Sequence, residues 1–171
     1  ILAEDTDYGL GFINAFKDAA NKQSYKGSIV TQSFEASATD VTPQLIRLRD
    51  ANPRPQVLFV SSVLPARALA IVQAREVGLT PQTEIVAGWN FPEQKNFWEL
   101  VKAAGSGIKY ANFSCPKVQP TAVGVEFNKL WESRTSFGPD QRVYMWWDAM
   151  LAIASAAEKA SSLKPDALVA A

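Results

Sequence analysis

A chain of 171 residues has room for one well-buried core and little more, and 47% apolar with 20% charged residues is the profile of a globular protein. Lysine plus arginine and aspartate plus glutamate number 17 each, so the attraction that drives nucleic-acid or anionic-membrane binding has no source, and no apolar run approaches the roughly 18 residues of a membrane helix. Histidine is absent and cysteine occurs once, which removes the commonest general base and zinc ligand and leaves Cys115 as buried packing.

Short apolar runs alternate with helical periods, the pattern of parallel strands joined by crossover helices. The first run, Ile1 to Glu4, reads as the end of a buried strand, and a further segment is expected before it. No basic stretch followed by an apolar core and a small-residue cleavage site is visible, so these residues contain no signal peptide. A helix near Tyr8 to Gln23 follows, with Phe12, Phe16 and Ala19 on one face and Asp5, Thr6 and Asp7 available as caps. The second strand is expected over Gly27 to Phe34. A helix then starts at Thr42 as cap and Pro43 as its first residue, with Leu45 and Leu48 inward.

The third strand, Gln56 to Ser62, precedes a helix from Pro65 to Val77 with Ala66, Ala70, Ala74 and Val77 on one face and Gly78 ending it. A fourth strand, Glu84 to Gly88, leads to a helix carrying Phe97, Leu100, Val101 and Ala104. A fifth strand spans Gly107 to Cys115. The expected fold is α/β: a parallel five-stranded, doubly wound sheet of order 2-1-3-4-5, with helices on both faces.

After Pro116 only helices follow. Val123, Phe127, Leu130 and Trp131 form one stripe. The helix Val143 to Ala160 carries two, one through Tyr144, Trp147, Leu151 and Ala154 and another through Trp146, Met150, Ile153 and Ala157. A helix apolar on most sides expects more than one neighbour.

In an open parallel sheet, ligands bind beyond the carboxyl ends of the strands, near the point where strand order reverses. The loops so selected are Asp5 to Tyr8, Ser61 to Leu64, Gly88 to Phe91 and Pro116 to Lys117. Tyr8, Ser61, Ser62 and Val63 flank the switch point itself. Gly9 and Gly11 suggest a dinucleotide fingerprint with Glu35 as the ribose acid, but Asn14 stands where the third glycine belongs. A phosphorylated receiver domain requires an aspartate after the third strand, where this chain has Ser61, Ser62 and Val63. Asp5 and Asp7 lack the twelve-residue calcium loop with its closing glutamate and read as helix caps. No pair of carboxylates points to glycoside hydrolysis. No metal and no cofactor are expected.

Taken together, Ile1-Leu2-Ala3-Glu4-Asp5-Thr6-Asp7-Tyr8-Gly9, Thr39-Asp40-Val41-Thr42-Pro43-Gln44-Leu45, Gln73-Ala74-Arg75-Glu76-Val77-Gly78 and the helix from Tyr144 through Glu158-Lys159-Ala160 resemble the leucine/isoleucine/valine-binding proteins that feed ATP-driven importers. The resemblance runs along the whole chain in order. It implies a type I periplasmic binding fold, with two α/β lobes closing about a hinge over a small-molecule solute. Residues 1–115 would be the second lobe. Residues 116–171 would be the crossover and helices of the first lobe, whose sheet is not in this sequence, so the chain by itself is expected to self-associate.

The resemblance also implies site roles. Tyr8 falls on the pocket aromatic after the first strand. Val63 falls where amino-acid binders often carry an aromatic. Asn90 falls where they carry the carboxylate that holds the ammonium, with Trp89 taking that place if the loop shifts by one. A neutral amide accepts a hydrogen bond but does not offset a buried ammonium. This departure counts against α-amino acid binding, and with Trp89 and Phe91 beside it that loop suits an aromatic or amide-like solute. The implied function is capture in the periplasm or outside the cell, with an importer's membrane permease as partner and no nucleic acid or direct membrane insertion. A ligand sensor of the same fold is the alternative, and an α/β enzyme without histidine the third reading.

Overall fold

The computed structural model describes residues 1–63, 65–88, 91–111 and 121–171. The chain divides into two compact units, Ile1–Ala111 and Asn112–Ala171.

In the first unit five strands, β1 (Leu2–Glu4), β2 (Gln32–Phe34), β3 (Val57–Ser61), β4 (Glu84–Ala87) and β5 (Lys109–Tyr110), form one sheet of order β2-β1-β3-β4-β5. Every neighbouring pair is parallel, with Leu2 opposite Gln32 and Val60, and Val60 opposite Ala87. The connections are α1 (Asp7–Lys22), α2 (Thr42–Arg49), α3 (Ala66–Glu76) and α4 (Lys95–Val101). The expected order of the sheet is therefore observed.

Alternation along the strands divides the interior. Leu2, Leu58, Val60 and Ile85 join Leu45 and Leu48 of α2, Ile71 of α3 and Phe97 of α4 in the main core. The buried alanines Ala66, Ala68, Ala70 and Ala74 let α3 lie close in that layer. Ile1 and Ala3 point the other way and meet Ile13 of α1, beside Phe59. There Phe12 stacks on Phe59 with ring centroids 4.5 Å apart. Phe16, on the same face of α1, is 39% exposed with its ring centroid 6.3 Å from that of Phe59, while Gly9 and Ile13 are the buried positions.

β2 is shorter than expected. It spans Gln32–Phe34, and before it the Val30 carbonyl accepts from the Ile1 nitrogen at 2.6 Å, so Gly27 to Thr31 lie outside the strand proper. Among the described residues β5 pairs at Lys109 and Tyr110; the expected continuation to Cys115, with Pro116 and Lys117, lies outside the described residues. The cap of α2 also moves. Val41 is the N-cap residue, and the Asp40 carboxylate accepts the Thr42 amide at 2.9 Å.

The second unit contains α5 (Ala122–Glu132), α6 (Gln141–Ala160) and α7 (Pro165–Ala170). Thr121 caps α5 and Asp140 caps α6, each through a side-chain oxygen. Phe127 is the buried hub, with ring centroids 5.3 Å from Tyr144 and 4.9 Å from Trp147. The second stripe of α6 is uncovered: Trp146 is 73% and Met150 61% exposed.

Candidate functional site

Three short connections meet at the carboxyl edge of the sheet, and two buried charged side chains organise them. Glu4, the last residue of β1, is buried, and its Oε1 accepts the Val63 amide at 2.9 Å. This fixes the loop after β3 to the end of β1. The turn into α1 is equally tight: Thr6 Oγ1 accepts the Gly9 amide at 3.2 Å, and a Cβ on Gly9 would collide with the Glu4 carbonyl. Gly9 thus serves close helix-to-strand packing, while Gly11 faces open space. The glycine pair needs no phosphate to explain it.

Arg67, in the first turn of α3, has no accessible surface. Its Nη2 donates to the Ser62 carbonyl and its Nη1 to the Gly88 carbonyl, joining the ends of β3 and β4. The guanidinium carbon lies 3.3 Å from the centroid of the Phe91 ring, a cation–π contact with the turn after β4. Burial pushes the guanidinium down to about 10, while neighbouring Tyr8 and the Glu4 carboxylate push it back up. It remains a cation at neutral pH. Its Nε has no partner among the described residues.

Tyr8 and Val63 stand at the surface of this edge, 40% and 53% exposed. Ser61 and Ser62 are buried, and neither hydroxyl has a partner among the described residues. Tyr8, Ser61, Ser62 and Val63 are thus brought together around Glu4 and Arg67. Trp89 and Asn90 lie outside the described residues, between Gly88 and Phe91.

Sequence reasoning missed Glu4 and Arg67. Glu4 reads as the end of a strand and Arg67 disappears into the alanine-rich face of α3. The available signal was a charged residue within an apolar stripe, since fully buried arginine is rare unless paired.

An apolar groove of about 890 Å³ opens at the opposite end of the sheet, lined among others by Phe16, Tyr25, Ile29, Val57 and Val86. It is remote from the carboxyl ends of the strands, where the topology places a ligand, and is not the candidate site. Among the described residues no group of three or more histidine, cysteine, aspartate or glutamate side chains is placed to hold a metal ion.

An open parallel sheet whose carboxyl edge presents a tyrosine and a valine over a braced polar interior is the architecture of a ligand-binding α/β protein. The chain belongs to the periplasmic binding protein family, whose model matches residues 1–171. It is similar in structure to a leucine binding protein, LivK, from Thermotoga maritima, with a TM-score of 0.85 and 22% identity over 98% of this chain and 47% of that one. It is also similar to the branched-chain amino acid transporter substrate binding protein LivJ from Streptococcus pneumoniae, solved in complex with isoleucine, with a TM-score of 0.71 and 25% identity over 91% of this chain and 43% of that one. An extracellular ligand-binding receptor from Rhodopseudomonas palustris gives a TM-score of 0.75 at 20% identity, covering 98% of this chain and 49% of that one. The chain therefore spans about half the length of these solved relatives. No curated protein matches it. No described helix is long and apolar enough to cross a membrane.

Proposed function

We propose that this chain is part of a solute-capture protein that closes about a hinge over a small amino acid, aromatic acid or amide-like ligand, and delivers it to the permease of an ABC importer without chemical change. The observation that carries the reading is the braced carboxyl edge of β1, β3 and β4, with Tyr8 and Val63 exposed along it. Such an edge offers an apolar wall and a few fixed polar groups, which is what small-molecule recognition needs. The proposed contacts are Tyr8, Ser61, Ser62, Val63, Trp89 and Asn90. A periplasmic or extracellular location follows from the same reading.

In this proposal residues 1–115 form the second lobe and 116–171 return toward the first. The uncovered stripe of α6 favours this, because a helix that exposes Trp146 and Met150 has an apolar face still to be covered. Closure shifts the population because the solute touches both lobes only in the closed state.

Thermal unfolding of the intact protein against aliphatic amino acids, aromatic acids and amides tests the reading, since a ligand at about a hundred times its Kd stabilises by about 2.7 kcal/mol. A shift with one class supports capture and names the class. Silence across the panel sinks it.

A further inference from the structure

The position of Arg67 is unfavourable on several independent counts. A guanidinium with no accessible surface has lost its hydration. It lies in the first turn of α3, where the helix dipole opposes a cation. Its Nε is buried without a partner among the described residues. Other arginines of this unit sit where a cation helps. Arg49 donates to the Val77 carbonyl at 2.9 Å, and Arg54 to those of Gly78 and Leu79 at 2.7 and 2.9 Å, at the carboxyl end of α3. Helix stability therefore does not account for Arg67.

What its fork accomplishes is connection. One N–H holds the backbone after β3 at Ser62, another holds the end of β4 at Gly88, and the flat face of the guanidinium lies on Phe91. Glu4, the last residue of β1, binds the same β3 loop through the Val63 amide and so ties the turn into α1, where Tyr8 stands, to the set. We propose that Arg67 is a positioning residue that locks the three connections after β1, β3 and β4 into one rigid unit. It would set the geometry of the solute edge without touching the solute. The geometry requires a planar, forked donor with two separate N–H directions and a stacking face, which lysine lacks. The proposal concerns the solute edge of the reading above, but its lock exists in the protein without solute and is measurable there.

The test is amide hydrogen exchange of the intact, solute-free protein, comparing wild type with Arg67→Lys and Arg67→Met. Removing the fork is expected to raise exchange by about tenfold or more in residues 5–8 and 61–63 and at the amides of Gly88 and Phe91 together, while the amides of Leu58 and Ile85 in the sheet interior change little. Arg67→Lys, which retains the charge alone, should not restore protection in all three segments. A rise confined to α3 and the β3 loop, a uniform rise through the sheet, or full rescue by lysine would overturn the proposal. Because Arg67→Met empties a buried site and could prevent folding, Phe91→Leu provides a milder variant. It replaces the stacking ring with an aliphatic side chain at a buried position, and the expected result is faster exchange at 61–63, across the guanidinium from the substitution, while the amides of Leu58 and Ile85 keep their protection. Unchanged exchange there would also overturn the lock. If the three segments loosen together but no solute of the panel stabilises the protein, the lock stands and solute capture falls.

Discussion

At the scale of single residues, the carboxyl edge depends on a few close approaches. Gly9 is required because α1 starts almost on top of the Glu4 carbonyl. Gly9→Ala is therefore expected to destabilise the protein by about 2 kcal/mol or more, read from the midpoint of denaturant unfolding. Glu4 accepts the Val63 amide and supports the charge of Arg67. Glu4→Ala leaves a buried amide without an acceptor and a buried cation with less support, and should cost roughly 2 to 3 kcal/mol in the same measurement. Glu4→Gln, which preserves an acceptor, should cost less. Tyr8 is half exposed, and Tyr8→Ala should leave folding intact while weakening solute binding by roughly 1 to 3 kcal/mol. An unchanged affinity would return Tyr8 to a structural role.

At the scale of elements, what was legible in the sequence was what repeats. The strand-helix alternation, the Gly78 stop and the Thr6 cap region are local signals, and α3 ends where Gly78 takes a φ of +71° while the Leu79 amide donates to the Ala74 carbonyl at 3.0 Å. The length of β2 was not legible, because the extent of a strand is set by the neighbour it pairs with, here Leu2–Glu4, rather than by its own apolar run from Ile29. Arg67 and Glu4 were not legible as site residues either, since their role comes from three loops that are distant in sequence and meet only after folding. Trp89 and Asn90 owe their proposed roles to the family resemblance.

Helix ends give predictions of their own. Ser24 follows α1 with a φ of 54°, a left-handed conformation that glycine adopts without strain, so Ser24→Gly should stabilise by roughly 0.5 to 1 kcal/mol in a thermal melt. At α6, burial pushes the Asp140 carboxyl up, but hydrogen bonds from the Arg142 side chain and the Val143 and Arg142 amides outweigh it and hold it below the usual value of 3.8. A depressed folded value means that the cap contributes fully above 3.8 and is lost as pH falls through the folded value. Asp140→Ala should cost about 1 kcal/mol at neutral pH, with the difference from wild type shrinking in acid.

At the scale of the whole molecule, the solved relatives are about twice as long as this chain. On the proposed lobe assignment, Trp146, Met150 and Ile153 await a neighbouring sheet. The chain by itself should then self-associate or bind a hydrophobic dye, and a compact, dye-silent monomer by light scattering would contradict that assignment. The central claim, capture without chemistry, is tested most directly by calorimetric titration of the intact protein with amino acids, aromatic acids and amides, followed by recovery of the solute. Saturable binding of one solute per protein, with the solute recovered unchanged, is the predicted result. Conversion of the solute to a product, or no binding by any member of the panel, would contradict it.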